Sequence, residues 1–283
     1  MITPQEEAYI LEKAYVPEHI INLMGPISKG EPFLKEDHLG FVKDNWLIFV
    51  GYPLDGNFSQ ARSERVLKQA AETFRPEILW FMGPEILPSL LDSCKERETD
   101  RYYTLDTEQM KLKPSLQRVA DKTSGKLTVE RSRSFSKEHE ALTAELLKRE
   151  KLPPRVRELY RAMPDYVARS PSACTLNARD KNGKLSAFFV VELGAKHFST
   201  YVLGSHSKKH YVPHASDLLF LEMINLTREH GKPTIHLGLG VNEGIRRFKE
   251  KWGGMPSLNY EFCERSYGTT RTLSLIKALE GKL

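Results

Sequence analysis

The sequence predicts an α/β protein with a mixed α+β sheet, because short apolar runs alternate with amphipathic segments along the chain. Hydrophobic residues make up 40% and charged residues 28% of the 283 positions, a globular composition that excludes wholesale disorder. At roughly 150 residues per domain, this length predicts two domains. No apolar run approaches the roughly 20 residues of a membrane-spanning helix. The acidic N-terminus, MITPQEEAYI, does not have the pattern of a signal peptide.

The first part of the chain predicts a small unit of alternating strands and helices. Residues 41–42 and 46–50 are apolar runs around a polar turn, which is typical of a hairpin. Ser59 is expected to cap a helix that ends near Phe74, and residues 78–82 are expected to form a buried strand. A second helix over 85–94 and a strand over 102–105 are expected to follow.

The stretch from Asp106 to Ser136 is charged and poor in large apolar residues. It is expected to hold a connecting helix over 115–122 and one strand over 126–130. We therefore place the domain boundary near Leu112, which gives domains 1–111 and 112–283.

Beyond this boundary the sequence predicts two helices and then a meander of three strands. Ser136 is expected to cap the first helix, and Pro153-Pro154 to begin the second. Residues 173–178, 185–193 and 198–204 have the composition of strands. The Asn-Gly pair at Gly183 favours a tight turn between the first two strands.

Residues 204–264 predict a helix, a strand, a second helix and a last strand. The first helix covers 216–230 and stops at Gly231, and the strand covers 234–240. Asn242 is expected to cap the second helix, and residues 258–262 alternate as a strand should. Three apolar residues of the second helix are expected to face inward: Ile245, Phe248 and Trp252. Four basic residues are expected to project elsewhere: Arg246, Arg247, Lys249 and Lys251.

This element order after a meander is that of the GNAT acyltransferase fold, and one motif makes the likeness specific. Gly238-Leu-Gly240 is closely followed by the run Gly244-Ile-Arg-Arg-Phe-Lys-Glu-Lys-Trp-Gly253. The combination resembles the signature of FemAB/FemX-type transferases, a branch of the GNAT (acyl-CoA N-acyltransferase) superfamily. The resemblance covers residues 112–264. It implies tandem GNAT-like domains, with a degenerate copy in 1–111 and an acyltransferase copy in 112–283.

The resemblance also implies N-acyl or aminoacyl transfer to an amine, so an enzyme is the favoured hypothesis. The donor is expected to be acyl-CoA or aminoacyl-tRNA, which makes tRNA a potential partner, and the acceptor a small-molecule or peptide amine. Two features of the family's relatives are missing here, and they leave the donor open. The Arg/Gln-x-x-Gly-x-Gly loop that binds the coenzyme A pyrophosphate in acetyltransferases is not found before Ser216, and no coiled-coil arm is inserted.

The predicted donor site lies between residues 204–217 and 238–249. In FemX-type enzymes the lysine that matches Lys249 contacts the phosphate region of the substrate. The basic loop before residue 215 and the first amides of the next helix also suit a polyphosphate. The predicted donor-binding residues are Lys208, Lys209, His210, Ala215, Ser216, Asp217, Gly238, Gly240, Arg246 and Lys249. Each part of this site also has a purely structural interpretation. The segment before residue 215 is then an exposed basic loop, Arg246 and Lys249 lie on a solvated helix face, and Gly238 and Gly240 form a tight turn.

Acyl transfer to an amine also needs a base and donors for the oxyanion. Glu192 is a candidate base because it ends an otherwise apolar strand, where desolvation raises a carboxyl pKa. His236 and Tyr201 are the other catalytic candidates. The alternatives are a solvent-facing position for Glu192 and a core position for His236.

No metal cofactor is expected. His206, His210 and His214 are spaced four apart, but Pro213 argues against one continuous helix there. Cys94, Cys174 and Cys263 are odd in number and far apart, which fits neither a disulfide framework nor a zinc site. Cys174 and Cys263 are expected to be inert. The cysteine pattern predicts a reducing, cytoplasmic location.

Two other function classes stay open at this point. One is a catalytically silent GNAT-like protein that acts as a binding or scaffold protein. The other is an RNA-binding protein that uses the basic segments 204–214 and 246–251. The net charge of +5 is small and concentrated near these segments, which favours a phosphate-bearing ligand over a diffuse polyanion. The oligomeric state is not predicted.

Overall fold

The computed structural model describes residues 2–152 and 154–267. Pro153 and residues 268–283, which belong to the predicted second helix and second domain, lie outside the described residues. The first elements are α1 (Pro4–Lys13), α2 (Ile21–Ser28), β1 (Glu31–Lys35), β2 (His38–Lys43), β3 (Trp46–Val50), α3 (Gln60–Phe74), β4 (Ile78–Gly83), α4 (Pro88–Leu91) and β5 (Glu96–Asp106). They are followed by α5 (Pro114–Ser124), β6 (Leu127–Ser132), α6 (Lys137–Arg149), α7 (Pro154–Arg169), β7 (Ala173–Asp180), β8 (Leu185–Glu192), β9 (Phe198–His206), α8 (Ala215–Glu229), β10 (Thr234–Leu239), α9 (Glu243–Lys251) and β11 (Met255–Ser266).

The chain divides into two compact units. Of the described residues, the first unit comprises 2–103, Leu239–Arg247 and 256–267, and the second comprises those of Thr104–Gly238 and Phe248–Met255. The first unit therefore includes β11, which pairs with β4 although it comes at the end of the described chain. The domain boundary near Leu112 stays a prediction.

The strands of the first unit follow the order β1-β2-β3-β4-β11-β5. β1, β2 and β3 form an antiparallel meander, and β4 then pairs with β3 in parallel after the crossover helix α3. Alternate residues of β3 and β4 belong to two separate apolar clusters: Ile48 and Trp80 to one, Phe49 and Phe81 to the other. Burial on both faces is what a parallel pair requires.

The strands of the second unit follow the order β10-β9-β8-β7-β6. Strands β6 to β9 form an antiparallel meander, and β10 pairs with β9 in parallel after the crossover helix α8. All eight residues of β8 are buried, as expected of its continuous apolar run. Each unit thus has an antiparallel meander followed by a helix and a parallel strand, which supports the predicted tandem arrangement.

Most predicted elements are present, and their caps explain where they begin. Ser59 accepts a hydrogen bond from the Arg62 amide at the start of α3, and Asn242 accepts one from the Ile245 amide at the start of α9. One element differs: the helix expected over 85–94 is reduced to α4. It begins after Leu87, where Pro88 takes the first helical position, and its last residue is Leu91.

The cysteine prediction was wrong for two of the three residues. Cys94 and Cys263 form a disulfide, with a Cα–Cα distance of 5.4 Å across a sequence separation of 169 residues. Cys263 is therefore not an inert thiol. Spacing along the chain gave no sign of this pair, because β11 joins the first unit from the far end of the sequence. Cys174 is a free, buried cysteine, and burial raises the pKa of its thiol.

In the part of the chain that the structure describes, no helix has both the length and the apolar character needed to cross a membrane.

Candidate functional site

The parallel strands of the second unit separate partway along their length. β9 and β10 pair from Phe198–Thr234 to Thr200–His236, and the pairing ends there. β9 continues to His206 without pairing to β10, and we call this separation of the two strands the opening. The corresponding strands of the first unit pair up to Val50–Met82, and the Gly51 amide donates to the Met82 carbonyl at 2.6 Å. The opening is thus a feature of the second unit.

A β-bulge in β9 lies at the edge of the opening. Val190 pairs with Leu203 and Val191 with Tyr201, so Val202 is an extra residue that bends the strand. The ring of Tyr201 packs edge to face on Phe189, with 4.9 Å between ring centroids. Burial raises the pKa of Tyr201 above its usual value. The phenol is therefore protonated at neutral pH and can donate a hydrogen bond.

His236 occupies the last paired position of β10 and is 1% exposed. Its Nδ1 accepts a hydrogen bond from the Gly238 amide at 3.2 Å. Burial, and next the positive charge of Lys249, lower the pKa of His236 to about 3. The imidazole is therefore neutral at pH 7 and is a weak base.

Lys249 is buried at 4% exposure, which corrects the prediction that it projects outward with the arginines of α9. Ile245, predicted to face inward, is 38% exposed. The reason is that only the end of α9 belongs to the second unit. There Phe248 and Trp252 pack against Phe220, with centroid distances of 5.5 Å and 4.9 Å, and they set the buried face.

Thr200 is the residue at the opening that the sequence did not single out. It pairs with His236 and with Glu192, it is 2% exposed, and its hydroxyl forms no hydrogen bond with the described residues. A buried hydroxyl without a partner costs free energy, and such groups often face a ligand. Threonine is common in strands, so the sequence carried no signal for it.

Residues 207–214 form the connection from β9 to α8, which we call the basic loop. The Glu145 carboxylate fixes its backbone by accepting hydrogen bonds from the Lys208 amide at 3.2 Å and the Ser207 hydroxyl at 3.4 Å. The Ser207 hydroxyl in turn accepts a hydrogen bond from the His210 amide at 3.0 Å. Lys208 and Lys209 are exposed. The backbone of the basic loop is thus held by hydrogen bonds to Glu145 and Ser207, while the side chains of Lys208 and Lys209 are exposed to solvent.

The α8 helix begins directly after the basic loop, with Ala215 buried and Ser216 half-buried. Asp217 lies in this first turn and forms what we call the Asp217 cluster. It accepts hydrogen bonds from His214 Nδ1 at 2.9 Å, Lys251 Nζ at 2.6 Å and Trp252 Nε1 at 3.1 Å. Burial opposes its charge, but these three donors together lower its pKa. The cluster connects the start of α8 to the end of α9. The positive charge of Lys251 offsets the negative charge of Asp217 at the start of α8.

The two predicted glycines lie in different units. Gly238 has a φ of +71° and open space where a Cβ would be, so it turns the chain at the end of β10. Gly240 belongs to the first unit, where a Cβ would lie 2.7 Å from Asp100 Oδ1 and 3.3 Å from carbons of Arg246. Gly240 is therefore small because its neighbours approach closely. The donor-binding roles of Gly240 and Arg246 stay predictions.

Glu192 lies at the end of β8 and is fully buried. Its carboxylate accepts hydrogen bonds from the Tyr166 hydroxyl, from the Ser170 hydroxyl at 3.0 Å and from the Gly194 amide at 2.6 Å. These contacts join β8 to the end of α7 and to the turn that follows. They are the contacts of a structural carboxylate, so the catalytic role of Glu192 stays a prediction.

His206, His210 and His214 lie in or beside the basic loop. Among the residues that the structure describes, no three His, Cys, Asp or Glu side chains are grouped so that they could hold a metal ion. His214 instead donates to Asp217.

Comparisons with known proteins agree on the fold. No protein-family model matches the sequence, and no curated protein matches it either. Among solved structures, the chain is similar to L-PGS from Bacillus licheniformis, with 16% identity, a TM-score of 0.59 and coverage of 100% of this chain and 98% of that one. It is also similar to FemX, with 13% identity, a TM-score of 0.61 and coverage of 92% and 96%. A tandem GNAT protein from the clavulanic acid biosynthesis pathway matches at 13% identity, with a TM-score of 0.53 and coverage of 83% and 79%. The predicted fold is thereby confirmed: the chain has a tandem GNAT-like fold of the kind found in FemX.

Proposed function

We propose that the chain is an N-acyltransferase or aminoacyltransferase that moves an acyl group from a phosphate-bearing donor to an amine. The donor class is acyl-CoA or aminoacyl-tRNA, and the acceptor is a small-molecule or peptide amine. The observation that carries this proposal is the opening between β9 and β10, because the first unit keeps the corresponding strands paired. The acyltransferase-like fold supports the same reaction class.

The donor phosphates are assigned to the basic loop and the start of α8. Exposed Lys208 and Lys209 supply positive charge, and the first amides of α8 supply hydrogen-bond donors at the positive end of the helix dipole. Buried Lys249 adds a positive charge beside His236. A donor held at these points would place its acyl end in the opening.

The reaction forms a C–N bond and breaks the bond from the acyl carbon to the donor's thiol sulfur or ribose oxygen. The proton that the amine loses ends on that leaving group. The Thr200 hydroxyl, which has no partner among the described residues, can donate to the oxyanion of the tetrahedral intermediate. Tyr201 follows Thr200 on the strand and packs on Phe189, so its catalytic role stays a prediction. Because Nδ1 of His236 accepts from the Gly238 amide, the neutral imidazole carries its proton on Nε2, which can donate a hydrogen bond to the oxyanion; its role as a base stays a prediction.

A catalytically silent GNAT-like binding protein is the second candidate. It is favoured by the engagement of Glu192 with three donors of its own unit. Such a protein would bind a phosphate-bearing ligand in the opening without turning it over, so binding and turnover have to be measured separately.

The test is calorimetric titration of the full chain with acetyl-CoA and with an aminoacyl-tRNA, followed by a transfer assay with an amine mixture. We expect one donor class to bind and Lys208→Ala/Lys209→Ala to weaken its binding about tenfold, which corresponds to about 1.4 kcal/mol. The matched control is Lys181→Ala/Lys184→Ala, which removes the same charge from the exposed turn between β7 and β8.

Lys249→Met is expected to abolish transfer while the chain stays folded, because it removes the buried charge and keeps the side-chain volume. Binding without transfer would favour the silent protein. No binding of either donor, with Lys249→Met identical to wild type, would overturn the proposal. Equal binding of unacylated RNA, with a salt slope of several units, would favour an RNA-binding protein.

A cytoplasmic location is also part of this proposal. The Cys94–Cys263 disulfide is the observation against it, since disulfides are rare in reducing compartments.

A further inference from the structure

A cavity in the second unit is not explained by acyl transfer. Its volume is about 300 Å³, and it lies among the end of β5, the connection to α5, the start of α5 and the end of α9. None of Thr200, Tyr201, His236 and Lys249 lines it. Its apolar lining consists of Leu105, Met110, Leu116, Trp252 and Met255.

The charged lining of this cavity is mainly positive. It contains Lys111, Lys113, Lys251 and Asp106. Lys251 is already paired with Asp217 at 2.6 Å. One oxygen of Asp106 accepts hydrogen bonds from the amides of Glu108 and Gln109, at 2.9 Å and 2.8 Å, so that carboxylate holds its own turn.

Lys111 and Lys113 are exposed, and neither forms an ion pair with the residues that the structure describes. Lys113 is also the N-cap residue of α5, an 11-residue helix whose first position is Pro114 and whose N-terminus has no side-chain cap. The positive end of the α5 dipole therefore adds to the two lysine charges. The lining thus combines apolar side chains with two cations that have no ion-pair partner among the described residues.

We propose that this cavity binds a small amphiphilic anion, in which an apolar body carries one carboxylate or phosphate head. The apolar body would contact Leu116, Trp252 and Met255, and the head would lie near Lys111 and Lys113. A volume of about 300 Å³ is at the lower end of the range for small-molecule sites, roughly 300–1,000 Å³. The proposal uses residues other than the donor site and does not depend on acyl transfer.

The experiment titrates the full chain with four probes that share one alkyl chain: octanoate, octyl phosphate, octanol and octylammonium. We expect at least one of the two anions to bind about tenfold or more tightly than octanol and octylammonium. Which anion binds more tightly distinguishes a carboxylate ligand from a phosphate ligand. Equal affinity for octanol and for the anions, or no binding of either anion, would overturn the proposal.

Two variants place the binding in this cavity. Lys111→Ala/Lys113→Ala should weaken anion binding about tenfold and leave octanol binding unchanged. Its matched control, Lys122→Ala/Lys126→Ala, removes two exposed cations at the other end of α5, outside the cavity lining. Met255→Trp changes a residue that is 65% exposed, so the fold should tolerate it, and it should weaken binding of all probes by filling the cavity. Anion binding that survives both variants would contradict the assignment.

Discussion

At the scale of single residues, Thr200 is the most informative side chain of the opening. Its buried hydroxyl has no partner among the described residues, so Thr200→Val should remove an unsatisfied polar atom while keeping the shape of the side chain. We expect the free energy of unfolding to rise by about 1 kcal/mol, and transfer activity to fall if the hydroxyl serves the oxyanion. Urea unfolding and the transfer assay measure the two effects.

The neighbouring Ser199 provides the control for Thr200. Its hydroxyl lies 2.6 Å from that of Thr227 and is also buried, but it has a partner. Ser199→Ala should therefore lower the free energy of unfolding by about 1 kcal/mol and leave transfer intact. If both variants were destabilising by the same amount, Thr200 would have a partner and would not be held ready for a ligand.

The sequence indicated part of this site for a physical reason. A charged or ionisable residue in an apolar run is distinctive, which favours Glu192 and His236 as candidates, and the glycines with the Phe-Lys pair indicate Lys249. A threonine in a strand does not stand out, and the burial of Lys249 depends on which turn of α9 packs against Phe220. Periodicity places residues on a helix face but does not say where along the helix the contact ends.

At the scale of elements, the Asp217 cluster joins the start of α8 to the end of α9. Asp217→Asn should lower the free energy of unfolding by about 1–3 kcal/mol at pH 7, because a buried, charge-assisted set of hydrogen bonds is weakened. The pKa of Asp217 is lowered from its ordinary value of 3.8, so the charged form contributes stability above that value. This contribution is lost as the pH falls through the lowered pKa.

Urea unfolding of wild type and Asp217→Asn across pH therefore has a defined expected shape. The difference should be full at pH 7 and should shrink below about pH 4. Asp165→Asn is the matched control, because Asp165 pairs with Arg169 on an exposed helix surface, where such pairs contribute about 0–1 kcal/mol. A difference for Asp217→Asn that did not change with pH would mean that the cluster acts through packing and not through charge.

Element prediction succeeded where the signal is local. The Ser59 and Asn242 caps and the apolar run of β8 each act within a few residues, and the corresponding elements are present. The opening could not be predicted in this way, because it depends on where two strands separated by α8 stop pairing.

At the scale of the whole molecule, the first unit is completed by residues from both ends of the described chain. The Cys94–Cys263 disulfide links two residues that are 169 positions apart in the sequence. Such cross-links stabilise a protein chiefly by restricting the unfolded chain. Cys94→Ser should therefore lower the free energy of unfolding of the first unit by about 2–5 kcal/mol. Thermal unfolding with and without dithiothreitol measures this. Wild type should lose stability on reduction to the level of Cys94→Ser, which should not respond to the reductant.

Cys174→Ser, which changes the free cysteine, should keep the full response. A wild-type protein that is insensitive to dithiothreitol and equal to Cys94→Ser would mean that the two thiols are reduced in solution. That outcome would remove the observation against a cytoplasmic location.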